Sequence, residues 1–375
     1  MTALPLKKPN HYIKNLNGIG LYVAVTLLAV VGTIFIYSAS NYSASATYGD
    51  AFYFVKKQLI GIALGVVAMT LTSIFDYHKL KKFTLPVAIV SFVLLILVFV
   101  PGIGVENYGA KRWIGFGGVT IQPSEIAKFS LILFSATYVS KHPERPKTFR
   151  GILPILIFGI ITCALIMLEP NMSITVCVLL LMLTILFCAG MKIKHLLMLI
   201  IPALILGVVL ILIEPYRLKR LLAFLNPWSS PKGEGYQLLQ SLYALGSGGW
   251  FGVGLFNSRQ KFAFLPFAES DFILSIIGEE IGFIGLFAFF LLLLFIVFKG
   301  IKTASKAKDV FGFILSVGIT MIFGIQVVIN ALVVTGSIPP TGLPLPLVSS
   351  GNTSIIIFMA EMGILQNVSK QSLTF

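Results

Sequence analysis

The chain is predicted to be all-α, a polytopic membrane protein with about ten transmembrane helices, and three observations predict it. Of its 375 residues, 57% are hydrophobic and only 11% are charged, which lies outside the range of soluble globular domains. Apolar runs of roughly 18 to 25 residues, each long enough to cross about 30 Å of hydrocarbon as a helix, recur along nearly the whole chain. The period-2 alternation of a transmembrane barrel is absent, and lipid offers no partner for a bare backbone N–H or C=O, so the spans must be helices.

In order, residues 1–18 are mostly polar, carry Lys7, Lys8 and Lys14, and lack a small-residue cleavage site. They read as a cytoplasmic segment ahead of a retained anchor. The apolar runs follow at 19–38, 58–75, 84–100, 122–140, 152–168, 172–190, 195–213, 271–298, 310–334 and 350–367. Residues 19–368 thus form one transmembrane domain, and 369–375 form a polar tail. The basic stretches DYHKLKK (76–82), KHPERPKTFR (141–150), MKIKH (191–195) and KGIKTASKAK (299–308) fall on the side of the N-terminus. By the positive-inside rule that side, with both termini, is cytoplasmic.

The net charge of +14 comes mostly from those short loops and is no sign of nucleic-acid binding. More telling are the basic clusters expected on the outer side against the usual bias: Lys111 with Arg112; Arg217, Lys219 and Arg220; Arg259 and Lys261. Such clusters point to an anionic ligand. Two outer connections are long, 101–121 and the extracellular loop 214–270 between spans 7 and 8. The second is too long to be structureless in a compact protein, and its apolar spacing over 236–245 predicts a short amphipathic helix at the interface. Cys163, Cys177 and Cys188 sit inside apolar runs as small hydrophobes. His11, His78, His142 and His195 are scattered and form no metal site. The glycines of GSGGWFGVG (246–254) lack the following Lys-Ser or Lys-Thr and the preceding strand of a phosphate loop.

The carboxylates are the chemical signal, because an acid within a span is expensive and functional by default. Asp271 stands at the mouth of the eighth run, where it reads either as an ordinary N-cap or as a partly desolvated general base among cations. Gly278 and Gly282 would let a partner helix approach. Glu279 and Glu280, roughly 12 Å deeper, read as a structural ion pair with Lys128 or another buried donor. In TIQPSEIAKFS, Pro123 suits a first helical turn, and Gln122, Glu125 and Lys128 share one face. Glu125 and Lys128 either neutralise each other or line a polar cavity. Glu169, in LEPN (168–171), lies in a tight outer turn.

Taken in order, GAKRWI, QPSEIAK, LEPN, FLNPW, GYQLLQSLYALGSGGWFGVGL, SRQKFAFLP, SDFILSIIGEEIG and TGLPLPLVSSGNTS resemble the SEDS family (shape, elongation, division and sporulation) of FtsW, RodA and SpoVE proteins. The likeness runs from the first span to the last, and SRQKF leans toward the FtsW and SpoVE branch. The resemblance implies a peptidoglycan glycosyltransferase of the bacterial cytoplasmic membrane that polymerises lipid II at the outer face, releases undecaprenyl pyrophosphate and works beside a class B penicillin-binding protein. It places the essential acid at Asp271 and carries over Lys111, Arg112, Glu125 and Glu169; with Gln122, Lys128, Arg217, Arg259 and Lys261 from the outer basic clusters and the shared face, these are the candidate substrate-binding residues. Ser270 departs from the family's usual Thr, Phe267 stands where an acid is common, and SSGNTS (349–354) replaces a SYGGSS-like run. One base suffices for this chemistry, since a pyrophosphate leaves without the protonation that a glycosidase's second carboxyl supplies. The outer cations, or a divalent ion such as Mg or Mn, would stabilise the departing charge. A lipid II flippase or transporter and a noncatalytic scaffold for the penicillin-binding protein are the rival readings. Against a transporter stand the absence of an inverted repeat and the concentration of charge outside.

Overall fold

A computed structural model describes residues 11–107, 110–116 and 119–372. Among them, each of the ten apolar runs falls largely within a helix: α1 (His11–Tyr48), α2 (Tyr53–Ile74), α3 (Thr84–Leu97), α4 (Pro123–Lys141), α5 (Phe149–Leu168), α6 (Met172–Cys188), α7 (Ile193–Ile213), α10 (Ile273–Ser305), α11 (Val310–Val334) and α12 (Asn352–Ser372). Six of these are long and apolar enough to cross a membrane by themselves, α3 makes a seventh together with the 3-10 turn Tyr77–Phe83 that precedes it, and α6, apolar throughout, is shorter at 17 residues. α1 begins ahead of the apolar run, so that polar residues 11–18 are already helical. α12 likewise carries residues 369–372 of the expected tail.

The centre of the bundle is α11, lying against α4, α6 and α10, while α2 runs along α12 and α3 along α4. α7 buries none of its residues and touches only α6 and α8 (Pro215–Leu225) appreciably. Local signals start the helices where the sequence puts them. Pro123 opens α4, where its missing N–H is no loss. The Thr148, Asn171 and Asp309 side chains accept the first free N–H groups of α5, α6 and α11. At one end of the bundle, Tyr77 donates its hydroxyl to Asp309 at 2.7 Å and Asn367 accepts from the Tyr77 N–H at 3.0 Å. These bonds join the α2–α3 and α10–α11 connections to α12.

Both long connections are folded. Residues 101–121 form an antiparallel sheet in the order β1 (Gly104–Asn107), β2 (Ala110–Phe116), β3 (Val119–Ile121). Residues 214–270 contain α8 and α9 (Tyr236–Gly248), the latter matching the expected amphipathic segment.

One apolar run is not a continuous helix. α10 breaks at Gly282, whose φ of 67° and ψ of −171° leave the helical region. The backbone groups freed by the break are taken up by the glycine-rich stretch after α9. Val253 and Gly254 donate to the Glu279 and Glu280 carbonyls at 2.9 and 3.1 Å, and Phe283 and Ile284 donate to Gly249 and Trp250 at 2.8 and 3.1 Å. Glycines are required because the backbones touch: a Cβ on Gly252 would lie 2.1 Å from the Glu280 oxygen, and one on Gly248 2.2 Å from the Gly278 oxygen. The GSGGWFGVG stretch therefore serves as a backbone plug for a broken helix.

Candidate active site

Asp271 lies two residues before α10, half-buried, at the bundle end that carries the sheet and the 214–270 segment. Its surroundings are pinned by hydrogen bonds. The Ser270 hydroxyl donates to its carboxylate at 2.8 Å, and Asn330 of α11 donates to both the Asp271 carbonyl (2.8 Å) and the Leu343 carbonyl (2.7 Å). Ser349 donates to the Ser270 carbonyl at 2.6 Å, and the Ser350 N–H to Glu269 at 2.9 Å. The polar segment between α11 and α12 is thus laced to residues 269–271. There Gly342 leaves room beside the carboxylate: at φ 69°, a Cβ on it would sit 3.2 Å from the Asp271 oxygen.

Two guanidinium groups act on Asp271, those of Arg112 and Arg220. Burial pushes its carboxyl above the ordinary aspartate range, while the Ser270 bond, Arg112 and Arg220 pull it back. Arg112 comes from β2. Alternation along a strand sends it to the face opposite Lys111, which is exposed. Arg112 donates to the Glu169 carbonyl at 3.3 Å and the Pro170 carbonyl at 2.6 Å, fixing the α5–α6 turn against the sheet. Arg220 lies on α8, with its guanidinium 4.7 Å from the Tyr216 ring centre one turn earlier, 3.7 Å from the Glu234 carboxylate and 3.4 Å from the Pro340 carbonyl. Glu269, half-buried two residues from Asp271, completes the charged group; burial first, and Asp271 after it, push its carboxyl up.

Arg112 thus stands between Asp271 and Glu169, acting on both, and the remaining candidates lie elsewhere. Arg217, one turn before Arg220 on α8, donates to the Leu210 carbonyl at 3.1 Å and toward the Met167 sulfur at 3.7 Å. Lys261 is buried with its ammonium donated to the Phe256 carbonyl. The Arg259 backbone N–H is held by Glu279 at 3.2 Å. Gln122 caps nothing with its side chain at the start of α4. Glu125 and Lys128 are an ion pair at 2.7 Å, both about 2% exposed within the bundle. Ser354 donates to Glu125 at 3.4 Å, the Phe358 ring centre is 5.3 Å from the Lys128 ammonium, and Lys128 also acts on Glu361 of α12.

The expectation of an ion pair for Glu279 and Glu280 is corrected: their partners are hydrogen-bond donors. Glu279 accepts from Ser247 (3.2 Å), from the Ser258 hydroxyl and from the N–H groups of Arg259 (3.2 Å) and Gln260 (3.4 Å). Glu280 accepts from the Ser38 hydroxyl and from the Ser258 N–H at 3.3 Å. A run of aligned N–H dipoles stabilises a buried carboxylate much as a cation does, without a second desolvated charge. Glu279→Ala is therefore expected to lose on the order of 3 kcal/mol, read as a lower thermal midpoint in detergent together with faster proteolysis at 255–262. An unchanged midpoint would show that residues 258–260 are held by other contacts.

Glu269, Glu361 and Arg220 are absent from the candidate set read from the sequence, which takes Arg217 from the Arg217–Lys219–Arg220 cluster. Glu361 carried a signal that could have found it, an acid inside the last apolar run. Choosing Arg220 over Arg217 needs the orientation of α8, which is a matter of tertiary packing. Among the described residues, no group of three or more His, Cys, Asp or Glu is placed to hold a metal ion.

Residues 20–374 match the FtsW/RodA/SpoVE family model, described as cell cycle protein. The chain is 40% identical over 355 residues to stage V sporulation protein E of Bacillus subtilis, covering 94% of this chain and 96% of that one. It is 38% identical over 355 residues to the probable peptidoglycan glycosyltransferase FtsW of a Geobacter species, covering 93% and 97%. Among solved structures, a chain from a peptidoglycan synthase complex that coordinates polymerization and crosslinking superposes with a TM-score of 0.78 at 26% identity, over 95% of this chain and 98% of that one. The rod shape-determining protein RodA of Thermus thermophilus superposes at 0.68 and 24% identity, over 95% and 97%, a likeness of fold. With the matched region running from the first span through the last, the chain belongs to the FtsW/RodA/SpoVE family of cell cycle proteins.

Proposed function

We propose that the protein is a peptidoglycan glycosyltransferase that polymerises lipid II at the outer face of the bacterial cytoplasmic membrane, with Asp271 as general base. The observation that carries the reading is a half-buried carboxylate with room beside it at Gly342 and two arginines acting on it. The names of relatives similar over more than nine tenths of the chain support the reaction class. The orientation is supported by charge: the basic connections 76–82 and 299–308 meet at the bundle end opposite Asp271, where Lys81 approaches Asp309 at 3.7 Å.

The chemistry follows from the residues. Asp271 takes the proton of the acceptor sugar's 4-hydroxyl as that oxygen bonds to the donor's anomeric carbon from the side opposite the pyrophosphate, inverting the centre. The bond to the lipid pyrophosphate breaks, and its negative charge meets Arg112 and Arg220, whose planar groups are suited to phosphate oxygens. Partial burial strengthens both effects by raising the basicity of the carboxylate and lowering the local dielectric. A class B penicillin-binding protein is the partner, supported by the match to a peptidoglycan synthase complex.

The test is purified protein with fluorescent lipid II in liposomes, with and without candidate class B penicillin-binding proteins. Glycan polymer supports the reading; lipid moved between leaflets without polymer makes the protein a flippase, and neither product with any partner makes it a scaffold. The two basic residues of β2 divide the prediction for binding. Arg112→Gln is expected to weaken lipid II affinity about tenfold or more, the loss of one to two charge-assisted hydrogen bonds. Lys111→Gln, on the exposed face, should leave affinity within about twofold.

A further inference from the structure

We propose that Glu169 is held as the neutral acid and donates a hydrogen bond to the phosphate-bearing end of the lipid-linked substrate, so that its ionisation sets the alkaline limit of polymerisation. This rests on the function proposed above and gives Glu169 a role within that site.

Glu169 ends α5 at the turn into α6 and is completely buried, and neither carboxyl oxygen has a hydrogen-bond partner among the described residues. The nearest cation does not relieve it. Arg112 directs its Nε and one Nη to the backbone carbonyls of Glu169 and Pro170, so the cation grips the turn and leaves the carboxyl unbonded. A carboxylate with full charge, no water and no donor is untenable in that position, whereas a neutral carboxyl is tolerated. Burial pushes this carboxyl from the ordinary 4.5 to about 8, with Arg112 pulling weakly the other way.

A neutral carboxyl carries an O–H that needs an acceptor, and the protein offers none among the described residues. The Thr341 hydroxyl is likewise buried and unpartnered. Its segment is tied to the first turn of α6, where Ser173 donates to the Thr341 carbonyl, and Gly342 beside it faces Asp271. Two orphan polar groups therefore come from the turn and the loop bordering Asp271. The charged group acting on Glu169 is Arg112 of β2, which also acts on Asp271 and Arg220, while Arg217 of α8 reaches the sulfur of Met167, two residues before Glu169. An arginine beside a neutral O–H donor makes a site for an anion, and a phosphate oxygen is the acceptor that fits. Ionising Glu169 would add a negative charge beside that anion and draw Arg112 toward its own carboxylate.

The experiment is lipid II polymerisation from pH 6 to 9.5 with wild type, Glu169→Gln and Glu169→Ala, alongside thermal unfolding of each from pH 4 to 9. Glutamine reproduces the neutral acid in shape and as a donor. Glu169→Gln should keep a KM that does not change with pH up to pH 9, while wild-type KM climbs by about tenfold per pH unit above about 8. Glu169→Ala should have a raised KM at every pH. Because the folded-state value lies above the unfolded one, the wild type loses stability relative to Glu169→Gln as pH rises from about 4.5 to about 8, and the two coincide below that window. Titrating binding of undecaprenyl pyrophosphate and of inorganic pyrophosphate separates a lipid-linked anion from a free one; pH-dependent binding of the inorganic ion alone would overturn the assignment to the lipid-linked substrate. A folded Glu169→Gln that keeps the wild-type alkaline limb, or is inactive at pH 7, overturns the proposal. No polymer from wild type under any condition, with the stability difference still present, overturns the glycosyltransferase reading while leaving Glu169 neutral.

Discussion

Asp271→Asn is expected to lower polymerisation of lipid II by about 100-fold or more while the protein still inserts and folds, since a positioned general base contributes about 100-fold to 10,000-fold. The substitution keeps the size of the side chain and an oxygen to accept from Ser270, so the links among residues 270, 330 and 349 survive. It removes the proposed proton acceptor while Arg112 and Arg220 remain to hold substrate. The expected signature is therefore a fallen kcat with lipid II affinity near that of wild type. A variant within about twofold of wild-type kcat would remove Asp271 from the chemistry and turn attention to Glu269, its half-buried neighbour.

The second large effect is expected inside the bundle. Lys128→Met should be the most damaging change there, with a loss of about 3 to 5 kcal/mol, because it leaves Glu125 buried without its ion-pair partner. It also removes the cation acting on Glu361. Glu125→Gln should cost less: Lys128 keeps Glu361 in its field and can still donate to the glutamine oxygen. The double variant should fall between them, giving a coupling of at least about 1 kcal/mol in a double-mutant cycle read by thermal unfolding. Polymerisation rates of the same variants separate folding from function. A stable Glu125→Gln protein with the normal rate would show that the carboxylate serves only Lys128, and equal losses for both single changes would show that Glu361 does not share the lysine.

The sequence by itself determined what depends on composition and on local patterns. Apolar runs placed the ten helices because a backbone in lipid has to bond to itself. Pro123 and the capping residues set helix starts, and a carboxylate at the mouth of the eighth run marked Asp271 through the cost of burying it. Tertiary structure decided whatever depends on which face a side chain shows and what it meets. Arg112 joins Asp271 and Lys111 does not, because residues 110–116 are a strand with alternating faces. Arg220 is chosen over Arg217 by the direction in which α8 lies. The break at Gly282 was hidden in a run that reads as continuous, since the groups that satisfy it come from residues 249–254, nearly thirty positions earlier. Glu279 and Glu280 looked like charges in need of a cation. Their partners turned out to be mostly backbone N–H groups and hydroxyls, and a backbone donor leaves no trace in the identity of the residue that supplies it.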